Sequence, residues 1–271
     1  MKFDPAHWAL ILGGSSGFGL ATAQKVARHG MNVCVVHRDR RGAMANIEPE
    51  FEKIRAAGVA LFTFNLDALA AEGRGQVLDA LAAKGARVRL LMHSIAYGNL
   101  KLLAPLPPHL AGTPTYDPDA RLEDEDFART VYSMGTSLAT WAQDVFARKL
   151  FADDARVIGM TSEGNEVAWR GYAAVSAAKC ALESVSRSLA LELGPFGVRS
   201  NVVQAGVTDT PALRLIPGNE EMKAAAHARN PLGRLTTPAD VADFIALLCT
   251  DEARWVNGAL VRVDGGEHIA G

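Results

Sequence analysis

The stretch Trp8-Ala9-Leu10-Ile11-Leu12-Gly13-Gly14-Ser15-Ser16-Gly17-Phe18-Gly19 joins a five-residue apolar run to spaced glycines and then to an amphipathic segment at 18–29. A short apolar run bounded by glycines reads as a buried strand, and the segment beyond it reads as a helix. A glycine turn at such a junction lets backbone approach a phosphate and aims the helix N-terminus at it. The spacing is Gly-xxx-Gly-x-Gly (Gly13, Gly17, Gly19), not the Gly-x-Gly-xx-Gly of the commoner dinucleotide fingerprint, and the Lys of a nucleotide-triphosphate loop is absent. A turn that merely packs helix on strand is the plain alternative; its place at the first strand–helix junction favours the phosphate. Ser15, Ser16 and Phe18 join the three glycines as candidate cofactor-binding residues.

Outward from this junction, further β-branched or apolar runs at 32–36, 60–64, 88–92, 156–160, 199–203 and 260–263 bring the strand candidates to seven. Helix-like stretches at 46–57, 68–84, 123–150, 172–193 and 238–250 separate them, so the connections are helical crossovers. The expected fold is a doubly wound α/β domain: a mostly parallel seven-stranded sheet, Rossmann-like, with helices on both faces. Within 172–193, Ala178, Leu182, Val185, Leu189 and Leu193 form one apolar stripe, and Lys179, Glu183 and Arg187 lie off it. Neither linker nor repeat divides the chain, so residues 1–271 are read as one domain. The loop 97–121, with five prolines, and the apolar segment 211–217 after the sixth strand are expected to border a ligand site.

Composition narrows the function. Of 271 residues, 28 are basic and 30 acidic, a net charge of -2 that gives no electrostatic case for nucleic acid or an anionic membrane. A small neutral or anionic ligand fits better. No apolar run approaches the roughly 18 residues of a membrane span, and the first is too short for a signal-peptide core. Cys34, Cys180 and Cys249 lie too far apart for a local metal site and are read as reduced, in the cytoplasm. The seven histidines show no metal-ligand spacing, so no metal is expected.

Ligands of open parallel sheets bind beyond the carboxyl ends of the strands. At the end of the second strand, where an Asp or Glu would accept bonds from the ribose of NAD, stand His37 and Arg38. A guanidinium can pair with a 2′-phosphate, so this dipeptide favours NADPH over NADH. Asn65, Leu66 and Asp67 end the third strand, where side-chain amide and backbone groups could bracket adenine. The fifth strand ends at Thr161 and Ser162, with Tyr172 and Lys179 ten and seventeen residues after that serine. Two helical turns, roughly 10 Å of rise, let two long side chains converge on one ligand. Glu163 and Glu166 read as solvated loop charges rather than an acid/base pair.

Taken together, these residues make the chain resemble the short-chain dehydrogenase/reductase superfamily from Gly13 to the terminal Val263-Asp264-Gly265-Gly266. The superfamily's usual active site leaves three residues between Tyr and Lys, which would place the Tyr at Val175. Tyr172 and Lys179 instead have six residues between them, a spacing that resembles the enoyl-acyl carrier protein reductases. His93-Ser94-Ile95-Ala96, standing where most members carry Asn-Asn-Ala-Gly, is also similar to that branch. Many such reductases have a second Tyr where Ser162 stands, and this chain follows the Ser variant. The asparagine of the superfamily's fourth helix is replaced within Tyr132-Ser133-Met134.

The resemblance implies hydride transfer from NADPH, with NADH as the alternative, to the β-carbon of an enoyl thioester in fatty acid biosynthesis. Tyr172, with Ser162 assisting, would donate to the developing enolate oxygen. Lys179 would hold the nicotinamide ribose and keep positive charge near it. Ser94, Ile95, Ala96, Gly206, Thr208 and Thr210 are assigned to the cofactor by the same resemblance. An acyl carrier protein as partner and a homotetramer are implied likewise. Two alternatives stand beside this reading: reduction of a ketone or 3-oxoacyl thioester, and a non-catalytic NADPH sensor, a role in which relatives typically lack the Tyr or Lys.

Overall fold

Trp8 to Leu12 of β1 (His7–Leu12) are all buried, which requires both faces of the strand to be covered. We describe the chain from a computed structural model over residues 2–107, 109, 117 and 120–270. Part of the proline-rich loop, residues 108, 110–116, 118 and 119, lies outside the described residues, as do 1 and 271. The other strands are β2 (Asn32–His37), β3 (Leu61–Asn65), β4 (Arg87–His93), β5 (Phe151–Thr161), β6 (Val198–Ala205) and β7 (Leu260–Val263). They form one sheet in the order β3-β2-β1-β4-β5-β6-β7, and every neighbouring pair is parallel. All seven strand candidates are present, and the sheet is wholly rather than mostly parallel.

The helices are α1 (Gly17–Arg28), α2 (Met44–Arg55), α3 (Ala71–Ala83), α4 (Asp124–Val131), α5 (Ser137–Ala147), α6 (Ala173–Leu193), α7 (Asn219–Arg229) and α8 (Pro238–Leu248). Successive strand residues point to opposite faces. Ala9, Ile11, Val33 and Val35 therefore join Val26 of α1, Phe51 of α2 and Ile245 of α8 in one core. Leu10, Leu12, Cys34 and Val36 join Leu81 of α3, Trp141 of α5 and Leu182 of α6 in the other. Two layers of helix over one sheet result, and no described helix is long and apolar enough to cross a membrane.

Four expectations need correction. The stretch 123–150 is not one helix: α4 passes through a π-helical turn, Tyr132–Thr136, into α5. Segment 211–217 is followed by a helix, α7, that periodicity hid because Ala226 is its one buried residue. Tyr172 stands at the cap of α6 with φ -103° and ψ 2°, just before the helix instead of inside it. Finally, β5 begins at Phe151, because the pairing advances from Val88↔Phe151 to Leu90↔Arg156 across a bulge. Asp154 in that bulge binds Arg89, Arg156 and Arg199.

Candidate active site

Since all strands are parallel, the carboxyl ends of β1 to β6 open on one edge, and the sequence-derived site residues follow those ends. Strand order reverses between β1 and β4, the switch point at which open α/β sheets bind ligands. Gly13 lies there with φ +83°, and a Cβ on it would come within 2.4 Å of the Ser94 carbonyl oxygen. Only glycine allows that approach. The cap of α1, Ser16, makes no side-chain capping bond, and the first turn carries no acidic residue. The free N–H groups and positive dipole end at this helix start are suited to a pyrophosphate. Thr210, after β6, closes the other side, its Cγ2 3.5 Å from where a Cβ of Gly17 would stand.

At the end of β2 the expected pair divides. The His37 side chain is buried, with Nδ1 2.8 Å from Asp39 Oδ2 and its ring edge on Phe51. It therefore faces the protein and cannot present its ring to a ligand. Arg38 is exposed, bonded to Asp67 Oδ2 at 3.2 Å and 6.0 Å from the centre of the Tyr97 ring. Asn65 is exposed, and its amide joins the ends of β2 and β3, Oδ1 accepting from Asp39 N–H and Nδ2 donating to Asp39 O at 3.0 Å each. Leu66 N–H donates to the His37 carbonyl, and Asp67 Oδ1 accepts from Leu69 N–H.

The structure brings Ser162 and Tyr172 together, Oγ to OH at 3.4 Å. Burial pushes the phenol's pKa up, and the Ser162 hydrogen bond acts against it. Lys179 is buried, donates to the Met160 carbonyl at 2.8 Å, and is pushed down to about 8 by burial, with Glu183 opposing. Val175, where the superfamily's usual Tyr would stand, packs with Met134 and Ala178 in a small apolar cluster. Tyr132 is turned away, donating to Leu69 O at 3.3 Å. Among the described residues, Tyr172 is thus the phenol paired with Ser162.

Several contacts around the site were not legible in the sequence. Gly164 lies against the Tyr172 ring, where a Cβ would be 2.3 Å from Cε1; its place two residues after Ser162 was the available hint. His93, at the end of β4, is pushed down to about 3 by burial and the Lys179 charge, and stays neutral. Its Nε2 is 2.8 Å from Ser137 Oγ, which donates to the Ser133 carbonyl. That carbonyl belongs to the π-helical turn, where a Cβ on Gly135 would be 2.7 Å from Ala178 O of α6. Such turns accompany functional sites. Glu163 is not a free solvated charge but pairs with Arg229, whereas Glu166 is exposed as expected and pairs at the surface with Arg262 at 2.9 Å and His268 at 3.4 Å. After β6, Thr208 Oγ1 donates to Gly206 O and Thr210 Oγ1 accepts from Leu213 N–H.

With this geometry the chain was compared with known proteins. A family model described as Enoyl-(Acyl carrier protein) reductase matches residues 13–268. The chain is 28% identical over 262 residues to a cis-4-hydroxycyclohexanecarboxylate dehydrogenase of Sinomonas cyclohexanicum, covering 95% of each. It is 27% identical to a 1-cyclohexenylcarbonyl-CoA reductase of Streptomyces collinus, covering 98% of this chain and 88% of that one. Among solved structures, enoyl-[acyl-carrier-protein] reductase (NADH) from Aquifex aeolicus VF5 superposes with a TM-score of 0.80 at 25% identity, covering 98% and 97%.

Proposed function

The chain belongs to the short-chain dehydrogenase/reductase superfamily of oxidoreductases, on its enoyl reductase branch, and we propose that it reduces the C=C bond of an enoyl thioester with NADPH. The observation that carries this reading is the phenol of Tyr172 beside Ser162, six residues ahead of Lys179, with an apolar Val175 at the usual position.

A bound reduced nicotinamide would supply the hydride for the β-carbon, charge would develop on the thioester oxygen, and a proton drawn from solvent would complete the reduction at the α-carbon. Tyr172 donates its O–H to that oxygen, with Ser162 Oγ as second donor. Burial disfavours the phenolate, so the phenol keeps its proton and remains a donor. Lys179 holds the ribose hydroxyls and, when protonated, adds positive charge behind the oxyanion. The glycine turn from Gly13 to Gly19 holds the pyrophosphate, while Ile95, Thr208 and Thr210 flank the nicotinamide. The acyl group is carried by acyl carrier protein or coenzyme A, and the working form is a cytoplasmic homotetramer.

The preference for NADPH rests on Arg38, whose exposed guanidinium needs only to exchange Asp67 for a 2′-phosphate. Arg38→Ala should weaken NADPH by about 1 to 3 kcal/mol and leave NADH nearly unchanged. Equal dissociation constants for both cofactors in the unmutated protein reject the preference. A second reading is carbonyl reduction, favoured by the Ser162–Tyr172 pair, which could grip a carbonyl oxygen, and by the Sinomonas dehydrogenase. The deciding experiment follows cofactor oxidation with crotonyl and longer enoyl thioesters against ketones and 3-oxoacyl thioesters, using NADPH and NADH. Turnover of enoyl thioesters is expected. Turnover of ketones alone assigns carbonyl reduction, and no turnover of any substrate, with cofactor still bound, leaves the sensor reading.

A further inference from the structure

Arg229 closes α7, a helix to which nothing so far assigns a part in the chemistry. Its Nη2 donates to Glu163 Oε2 and, at 2.9 Å, to Glu267 Oε1. Glu267 is buried, and its two oxygens accept the Val207 N–H at 3.3 and 3.1 Å. Gly206 lies so close that a Cβ there would be 2.8 Å from Glu267 Oε2. One guanidinium therefore joins the turn after Ser162, the bend leading from β6 to Thr208 and Thr210, and the end of α7. A carboxylate as buried as Glu267 needs a cationic partner, and Arg229 supplies it.

The turn it grips is the one against which Tyr172 rests. Glu163 stands between Ser162 and Gly164, and Gly164 touches the Tyr172 ring where its own side chain would have been. A shift of this turn must move the phenol. Among the side chains that tie the turn down, Asn165 donates to Glu183 Oε1 of α6 at 2.6 Å, and Glu163 reaches Arg229; Glu166 at its end pairs with Arg262. The first tie stays within the element that carries Lys179. The second crosses to the segment between β6 and α8.

We propose that Arg229 is a positioning residue, acting through Glu163 to hold the Tyr172 phenol and through Glu267 to hold the cofactor-side bend at Val207, so that both halves of the site are set from α7. This rests on Tyr172 being the working phenol. The two ties differ in reach: a change at Glu163 acts on the phenol alone, whereas a change at Arg229 acts on phenol and cofactor together.

The test uses substitutions that keep every charge. Glu163→Asp shortens one tie by a methylene, and Arg229→Lys replaces a planar fork by a single point. Tyr172 ionisation is read from phenolate absorbance in the free protein, as the difference from Tyr172→Phe in the same background. Turnover and NADPH affinity are measured alongside. In Glu163→Asp the phenol should titrate at lower pH than in the wild type, because the ring loses its cover and gains water. Its kcat should fall about tenfold, since misplacement by roughly 1 Å costs up to about 10²-fold, and NADPH affinity should hold. Arg229→Lys should show the same losses and weaken NADPH as well. Wild-type phenol titration and kcat in Glu163→Asp, even with a lower melting temperature, would reduce the ion pairs to a structural tie and overturn the proposal. Full turnover by Tyr172→Phe would instead refute the proposed function, while the phenol titration still reports on the tie.

Discussion

Tyr172 and Lys179 are both withdrawn from water, and burial moves them in opposite senses, the phenol up and the ammonium down to about 8. The phenol therefore stays a donor across the neutral range, and deleting it is a clean test. Tyr172→Phe keeps the ring against Gly164 and removes one donor, so turnover should fall about 10²- to 10³-fold with NADPH affinity unchanged; near-normal turnover would show that another group stabilises the oxyanion. Lys179 gives a pH signature. In the free protein it is charged below about pH 8 and neutral above, so the part of NADPH affinity that depends on its charge should decline as pH rises through that value. A titration series in Lys179→Met should be flat over the same range, and parallel curves for both proteins would remove the ribose role. Tyr172 was legible because its spacing from Lys179 resembles the enoyl reductase branch, with Val175 at the superfamily's usual position. His37 turned inward because a residue's position at a strand end does not say which way its side chain points; Asp39, two residues on, and Phe51 of α2 hold it there.

At the scale of elements, legibility followed burial. The seven strands and the stripe of α6 were readable because two-sided or one-sided burial imposes a hydrophobic period on the chain. α7 has almost no buried side chain and so left no period, while the π-helical turn Tyr132–Thr136 depends on Gly135 meeting the Ala178 carbonyl and on serine-to-backbone bonds. The weak anchoring of α7 and the turn before it has a dynamic consequence. Leu215 is 76% exposed, and Leu213, Ile216 and Met222 are only partly covered, so few apolar contacts oppose local opening. Backbone amides of 211–222 should exchange quickly in the free protein and slow by at least tenfold when cofactor and an acyl substrate analogue are bound together. Equal protection in both states would mean a fixed wall beside the site. Arg229, anchored at the far end of α7, should remain the more protected side of this segment.

Across the whole molecule, the sheet separates function from stability. The carboxyl ends of the strands hold the glycine turn, Ser162, Tyr172 and Thr210, while the amino ends hold a cluster of arginines around Asp154. Arg156 is fully buried and donates to Leu248 and Thr250 carbonyls, and Arg89 donates to that of Cys249, so the two guanidiniums cap the end of α8. Asp154 is their shared counter-charge, accepting from both and from Arg199, and Arg89 also pairs with the exposed Asp251 at 2.9 Å. Burial by itself would raise the Asp154 carboxyl, but the Arg156 hydrogen bond and the three guanidinium charges outweigh it and hold the group below its ordinary range. A carboxyl whose pKa is lowered by folding stabilises the fold fully above its unfolded value near about pH 4 and loses that contribution as pH falls below it. Asp154→Asn leaves the buried Arg156 without its carboxylate and Arg89 with only the exposed Asp251, which typically costs about 3 kcal/mol or more. The site should not notice, because Asp154 is seven residues from Thr161 along β5, roughly 20 Å at the rise of a strand. The expected outcome is a protein that melts several degrees lower at pH 7, differs less from wild type at pH 3, and binds NADPH with wild-type affinity wherever it is folded. A drop in cofactor affinity matching the drop in stability would show that the two edges of the sheet are coupled after all.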